Sequence, residues 1–182
     1  MWMVRAYGPN DRESWLRCRV LGFLDTAYFD DVWTTKPPAT GPDLVAVTGD
    51  GTVAGILIAA AYGKSATIDT VVVHPDFRRR GIARALLDAA IARLRAEGFT
   101  ELDAWTRDDP GTLIWYSAMG FHESSHYLHI YADAAERDRA GLTARPGLKP
   151  IATFLHGRMA DEEWARARFK RVHVCRRFVR PL

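Results

Sequence analysis

Residues Thr67–Ala90 read T-I-D-T-V-V-V-H-P-D-F-R-R-R-G-I-A-R-A-L-L-D-A-A. Ile68 and Val71–Val73 are β-branched and apolar, which predicts a buried strand. His74-Pro75-Asp76 ends it, because proline donates no ladder hydrogen bond and restricts the residue before it. From Arg80 the period changes: Ile82, Leu86, Ala89, Ala90 and Leu94 fall at helical spacing, so a helix runs from near Gly81 to about Glu97, with Gly98 just past its end. The turn between them carries Arg78, Arg79, Arg80 and Gly81. Free N–H groups at a helix start, a glycine that permits close approach and neighbouring guanidinium groups outline an anion site.

Working outward, Val4–Tyr7 is predicted as a first strand, and Asn10 or Asp11 caps a helix that continues to about Leu24. The aromatic and acidic segment Asp25–Trp33 follows, then a proline-rich loop. Leu44–Thr48 and Val53–Tyr62 form a hairpin about Gly49-Asp50-Gly51 and lead into the organising strand. Beyond the Arg80 helix come a strand over Glu101–Thr106 and a helix from Pro110 to about Met119, ended by Gly120. Phe121–Tyr131 and Phe169–Val179 are the last two strands. The order β-α-β-β-β-α-β-α-β-β makes one mixed α/β (α+β) sheet with helices on both faces. Residues 132–168 are too long for a hairpin connection. They read as an insertion with its own short elements inside a single 1–182 domain, because Ile151, Phe154, Leu155 and Trp164 need burial.

Composition narrows the function classes. A chain of 182 residues, 48% hydrophobic and 26% charged, is an ordinary globule. Its most apolar stretch, Val53–Tyr62, is too short to span a bilayer, and the first residues lack a signal-peptide core. Cys18 and Cys175 make no disulfide framework, which points to a cytoplasmic protein with two packed thiols. A net charge of +3 with scattered basic residues gives no nucleic-acid footprint. His126 and His129 point to opposite faces of a strand, and His122 has no zinc-spaced partner, so no metal site is expected. His74 shapes the turn before Pro75.

The dinucleotide fingerprint and the nucleotide-triphosphate loop are both absent from the 78–83 turn. Arg78-x-x-Gly81-x-Ala83 after V-x-V-x-P instead resembles the acetyl-CoA signature [QR]-x-x-G-x-[GA] of the GNAT superfamily of N-acyltransferases, and W-Y-S-A-M-G-F resembles that family's Y-x-x-x-G-F. The likeness covers about residues 3–131 and resumes in the final strand.

The resemblance implies a mostly antiparallel sheet with strands 4 and 5 splayed, so that the pantetheine of acetyl-CoA pairs with Val71, Val72 and Val73. Backbone N–H groups of the turn Arg78, Arg79, Arg80, Gly81, Ile82 and Ala83 would hold the pyrophosphate, and the N–H of Val72 would serve the oxyanion. Tyr116 stands where the family's general acid faces the leaving sulfur. Asp109 replaces an asparagine common near the pantetheine. A glutamate found in some members falls at Thr67, so Asp69, read as sharing the parity of Thr67, Val71 and Val73 and opposing Ile68, Thr70 and Val72, becomes the candidate base acting through water. Tyr28, Phe29, Trp33 and Trp105 offer walls for an acceptor, and Asp30 and Asp31 offer carboxylates for its ammonium.

The implied activity is direct acetyl transfer from acetyl-CoA to a primary amine of a small molecule or peptide; the rival reading is a non-catalytic acyl-CoA-binding sensor or scaffold. The insertion would either border the acceptor cleft or pack against a second copy in a homodimer.

Overall fold

The computed structural model describes residues 1–141 and 144–182. Its strands are β1 (Trp2–Ala6), β2 (Asp43–Thr48), β3 (Val53–Tyr62), β4 (Ser65–Val73), β5 (Glu101–Thr106), β6 (His122–Ala132), β7 (Thr153–Gly157) and β8 (Arg171–Pro181). The helices are α1 (Arg12–Phe23), α2 (Ile82–Ala96), α3 (Pro110–Ala118) and α4 (Glu162–Arg166). One eight-stranded sheet runs β1-β2-β3-β4-β5-β8-β6-β7. Among the described residues only β4 and β5 pair in parallel; the remaining neighbours are antiparallel.

Two apolar layers sandwich the sheet. On one face Leu86, Leu87, Ala90 and Leu94 of α2 and Tyr116 of α3 pack on Leu57, Ile68, Leu102, Ala104 and Phe178. On the other, Trp15 and Cys18 of α1 pack on Val45, Ile56, Ile58 and Val72. Gly22 lets α1 lie this close to β4: a β-carbon there would sit 2.3 Å from Val72 Cγ2.

The insertion adds an edge strand, β7, registered on β6 with Tyr131 opposite Phe154 and His129 opposite His156. Strand alternation then splits its side chains between faces. Leu155 joins Leu128, Ile130, Val172, Val174 and Ala165 of α4 in a third core, while Phe154 and His156 face the other way, onto Tyr131 and Tyr127.

Candidate active site

The site is built where the sheet fails to close. β4 and β5 pair only from Ser65–Ile68 to Glu101–Ala104. Past that point β4 stays with β3 up to Val73, and β5 stays with β8 up to Thr106. The two halves of the sheet diverge, and a cleft opens between them.

A β-bulge marks the start of the divergence. Ile58 of β3 faces Thr70, but the next residue, Ala59, faces Ile68, so Asp69 is the extra residue of β4. A bulge reverses which face the following side chains take. Ile68 therefore packs on the α2 side together with Val71 and Val73, and Val72 packs on the α1 side. This corrects the uninterrupted alternation read from sequence, which set Ile68 opposite Val71. Two core residues three apart cannot share a face of a regular strand, so the spacing itself carried the signal.

At one end of the cleft, Pro75–Phe77 makes a 3-10 turn in which His74 Nδ1 accepts from the Asp76 N–H. Arg79 and Gly81 both adopt positive φ, 61° and 77°. Gly81 is the N-cap of α2, with nothing within 4 Å of where its β-carbon would be. The first-turn N–H groups of α2 have no intrahelical acceptor and carry the positive end of its dipole.

The arginines of the turn divide their work. Arg78 is already engaged, through a two-pronged ion pair with Asp25 at 2.6 and 2.8 Å and a bond to the Gly22 carbonyl. Its guanidinium thus clamps the end of α1, while Arg78 still lines the cleft. Arg80 bonds the Asp76 carbonyl at 3.0 Å and lies over Phe77.

A cavity of about 570 Å³ runs from this turn along Val71–Val73 to Asp109 and Trp115. A narrower one of about 100 Å³ continues from Val71 and Asp109 to Asp69, Tyr116 and Trp105. Phe23, Thr26, Val71, Asp109 and Thr112 line both, so they form one passage. It has a broad mouth at the start of α2, an unpaired strand edge along one wall and a small chamber at the end.

Tyr116 lines the chamber and is 4% exposed. Its ring is stacked on Phe178 and meets Phe121 and Trp115 edge-on. Burial pushes its phenol well above the ordinary tyrosine range, keeping it protonated. Asp69 lies on the open side of the chamber, and desolvation by its walls pushes the carboxyl upward. Asp109 begins α3 and accepts from the Ala27 N–H through both oxygens, at 3.1 and 3.3 Å. It therefore pins the loop after α1 against α3 while lining both parts of the passage.

That loop places the acceptor candidates unevenly. Tyr28, Asp31 and Trp105 line the chamber. Trp33 instead stacks on Trp15, lies 3.5 Å beneath the Arg19 guanidinium, and packs, half-buried, against the core under α1. Phe29 is exposed and sits under Arg171, which forms a two-pronged ion pair with Asp30. Asp31 pairs with buried Arg19 at 2.7 Å. Both carboxylates offered for an ammonium are thus already matched by arginines.

Sequence reading gave no role to Arg107, yet it holds this loop. It is 7% exposed, donates to the Ala27 carbonyl, the Tyr131 hydroxyl and His129 Nδ1, and lies over the Tyr28 ring. Its N–H donates to the Tyr28 hydroxyl at 3.0 Å. Burial, then the neighbouring Arg107 charge, lowers His129 to about 4, so it stays neutral and can accept. Nothing in the spacing of these residues announces the cluster, because three separate segments supply it: the turn after β5, the loop after α1 and β6. Cys18 and Cys175 are both buried, and Cys18 is pushed up to about 12 by desolvation.

A mixed sheet prised open at the parallel pair β4 and β5, with a glycine-started helix at one end of the gap and a buried tyrosine at the other, defines a recognisable class of fold. The model of the acetyltransferase (GNAT) family matches residues 11–121. The chain belongs to that family.

It is similar to a mycothiol acetyltransferase of Clavibacter michiganensis, 39% identical over 67% of this chain and 38% of that protein. It also resembles the ribosomal protein bS18-alanine N-acetyltransferase of Salmonella typhimurium, 30% identical over 55% of this chain and 68% of that protein. The chain thus spans under half of the first relative and about two thirds of the second. The crystal structure of the Escherichia coli ribosomal-protein-S18-alanine N-acetyltransferase overlays on it with a TM-score of 0.64 at 16% identity, covering 100% of this chain and 94% of that one. Among the described residues no helix is long and apolar enough to cross a membrane.

Proposed function

We propose that the protein transfers an acetyl group from acetyl-CoA to a primary amine by direct attack within a ternary complex. The observation that carries this reading is the continuous passage from the α2 N-terminus, along the unpaired edge of Val71–Val73, to a chamber lined by Asp69 and Tyr116. In this reading the turn N–H groups from Arg79 to Ala83 hold the pyrophosphate. The edge of Val71–Val73 aligns the arm, and its gap-facing N–H groups, those of Val71 and Val73, serve the oxyanion; the Val72 N–H read for that role from sequence turns toward β3, because Val72 pairs with Ile56 in the register that sets the His74 N–H on the Ala54 carbonyl.

The amine must lose a proton to attack. Asp69, directly or through water, takes it. The new C–N bond forms as the C–S bond breaks, the Tyr116 hydroxyl gives its proton to the departing thiolate, and the acylated nitrogen sheds its second proton to solvent. Buried and protonated, Tyr116 suits that role; the ionised Tyr116 left behind is reprotonated from solvent. Small-molecule amines and peptide N-termini both fit the class of acceptor; the names of the relatives above support an amine.

The test is release of free thiol from acetyl-CoA across a panel of amines, followed with a thiol-reactive dye. Amine-dependent release supports the reading. Tight acetyl-CoA binding with no release for any amine would favour a sensor or scaffold instead.

A further inference from the structure

Two buried polar atoms in the chamber have no partner. Thr70 is 2% exposed and its Oγ1 makes no hydrogen bond; Arg19 is 1% exposed and its Nε is likewise unpaired. Both residues line the same 100 Å³ chamber as Asp69 and Tyr116. Buried donors are nearly always satisfied, and leaving one without an acceptor is costly. Here an Nε–H and a hydroxyl remain unpaired where the acceptor amine has to enter.

The rest of the Arg19 guanidinium is fixed. Nη1 donates to the Asp31 carbonyl at 2.5 Å and Nη2 to its carboxylate at 2.7 Å, over the Trp33 ring. Its position is therefore set before any ligand arrives, and its charge is neutralised by Asp31.

Resting on the acetyl-transfer reading above, we propose that Thr70 and Arg19 form a two-donor subsite for the carbonyl oxygen of an α-aminoacyl group, so that the acceptor is an amino-acid amide or a peptide N-terminus. An α-amine carries that oxygen three bonds away, close enough for amine and carbonyl to occupy one small chamber. A neutral amide fits better than a free carboxylate, because Asp31 already neutralises the Arg19 charge and the Asp69 carboxylate lines the same space. The Asp69 carboxylate suits the ammonium form of the incoming amine. The chamber is small, which favours a glycyl-, alanyl- or seryl-sized residue over a large side chain. The remainder of the acceptor leaves past Trp105, which is 40% exposed and edge-on to Tyr127.

The experiment compares kcat/KM for alaninamide with that for propargylamine, a small and similarly weakly basic amine without a carbonyl, in wild type, Thr70→Val and Thr70→Ser. Thr70→Val keeps the shape and removes only the hydroxyl. It should melt no lower than wild type, since the free protein loses no hydrogen bond. Wild type should favour alaninamide, Thr70→Val should cut the alaninamide-to-propargylamine ratio at least tenfold, and Thr70→Ser should restore it. An unchanged ratio in Thr70→Val, or a wild type that prefers propargylamine, overturns the subsite while leaving acetyl transfer intact. A wild type that acetylates neither amine, nor any other in the panel, overturns both.

Discussion

The two ends of the passage are made in different ways. The end proposed for the coenzyme is built from backbone: a glycine at φ 77°, the first turn of α2, and a strand edge that the splay leaves unpaired. The acceptor end is built from side chains brought from α1, the 25–33 loop, β4, β5 and α3, and held by buried arginines. Backbone sites depend on a few residues in one continuous stretch, so they tolerate change at most positions and fail completely at one or two. Side-chain sites spread the same task over many residues and are adjusted in smaller steps. That contrast says where each substitution should act.

At the junction of the two ends the effect should be largest. Tyr116→Phe removes one hydroxyl and leaves the stacking on Phe178 in place. Loss of a general acid should lower kcat about 10²–10⁴-fold while the KM for acetyl-CoA stays near wild type. Steady-state kinetics with an active amine decides this, and a wild-type kcat removes Tyr116 from the mechanism.

Next comes the backbone end. Gly81→Val forces a β-branched residue to φ 77°, a conformation that costs an L-residue roughly 1–2 kcal/mol, and sets a side chain where the pyrophosphate should approach. Acetyl-CoA affinity by calorimetry should fall roughly 100-fold, about 2.7 kcal/mol, in a protein that remains folded. Unchanged affinity would place the anion elsewhere.

On the side-chain end, Arg107→Met should free the loop carrying Tyr28 and Asp31 without touching the α2 turn. We expect the amine KM to rise about tenfold, about 1.4 kcal/mol, with acetyl-CoA affinity unchanged. Equal losses for both substrates would mean that the two ends are mechanically one.

The smallest effect concerns stability and pH. Desolvation raises the Asp69 carboxyl in the folded state, so the native protein holds that proton more tightly than the unfolded chain does. The ionised group therefore costs stability at neutral pH, and the cost disappears as pH falls through the folded value to below the ordinary aspartate range, near ~3.9. Asp69→Asn should melt slightly higher than wild type at pH 7, the gap closing on acidification, while its turnover falls. A lower melting point at pH 7 would show that Asp69 makes a stabilising contact instead.

The same contrast explains what could be read in advance. The strand, turn and helix around Gly81 were legible because backbone chemistry is local: apolar runs, a proline, a glycine and a helical period lie in one stretch. The order of β1–β6 and β8 followed from equally local signals. β7 did not, since T-F-L-H-G is short and its pairing with β6 is set by distant partners. The bulge at Asp69 was hidden by assuming strict alternation, although Ile68 and Val71 both needed the same core. Arg78 looked like an anion ligand because its partner, Asp25, is 53 residues away. Trp33 looked like a pocket wall, whereas Trp15 and Arg19 draw it against the core. Arg107, Thr70 and Arg19 carried no motif at all; each matters through what surrounds it in space.

The central claim is that the gap between β4 and β5 receives acetyl-CoA along the edge of Val71–Val73. Amide hydrogen exchange read residue by residue, with and without acetyl-CoA, tests it most directly. The account expects new protection at the amides along Val71–Val73 that face the gap and at the α2 turn from Arg79 to Ala83, with β1 and β7 unchanged. Saturating acetyl-CoA that leaves the exchange of both segments unaltered would contradict it.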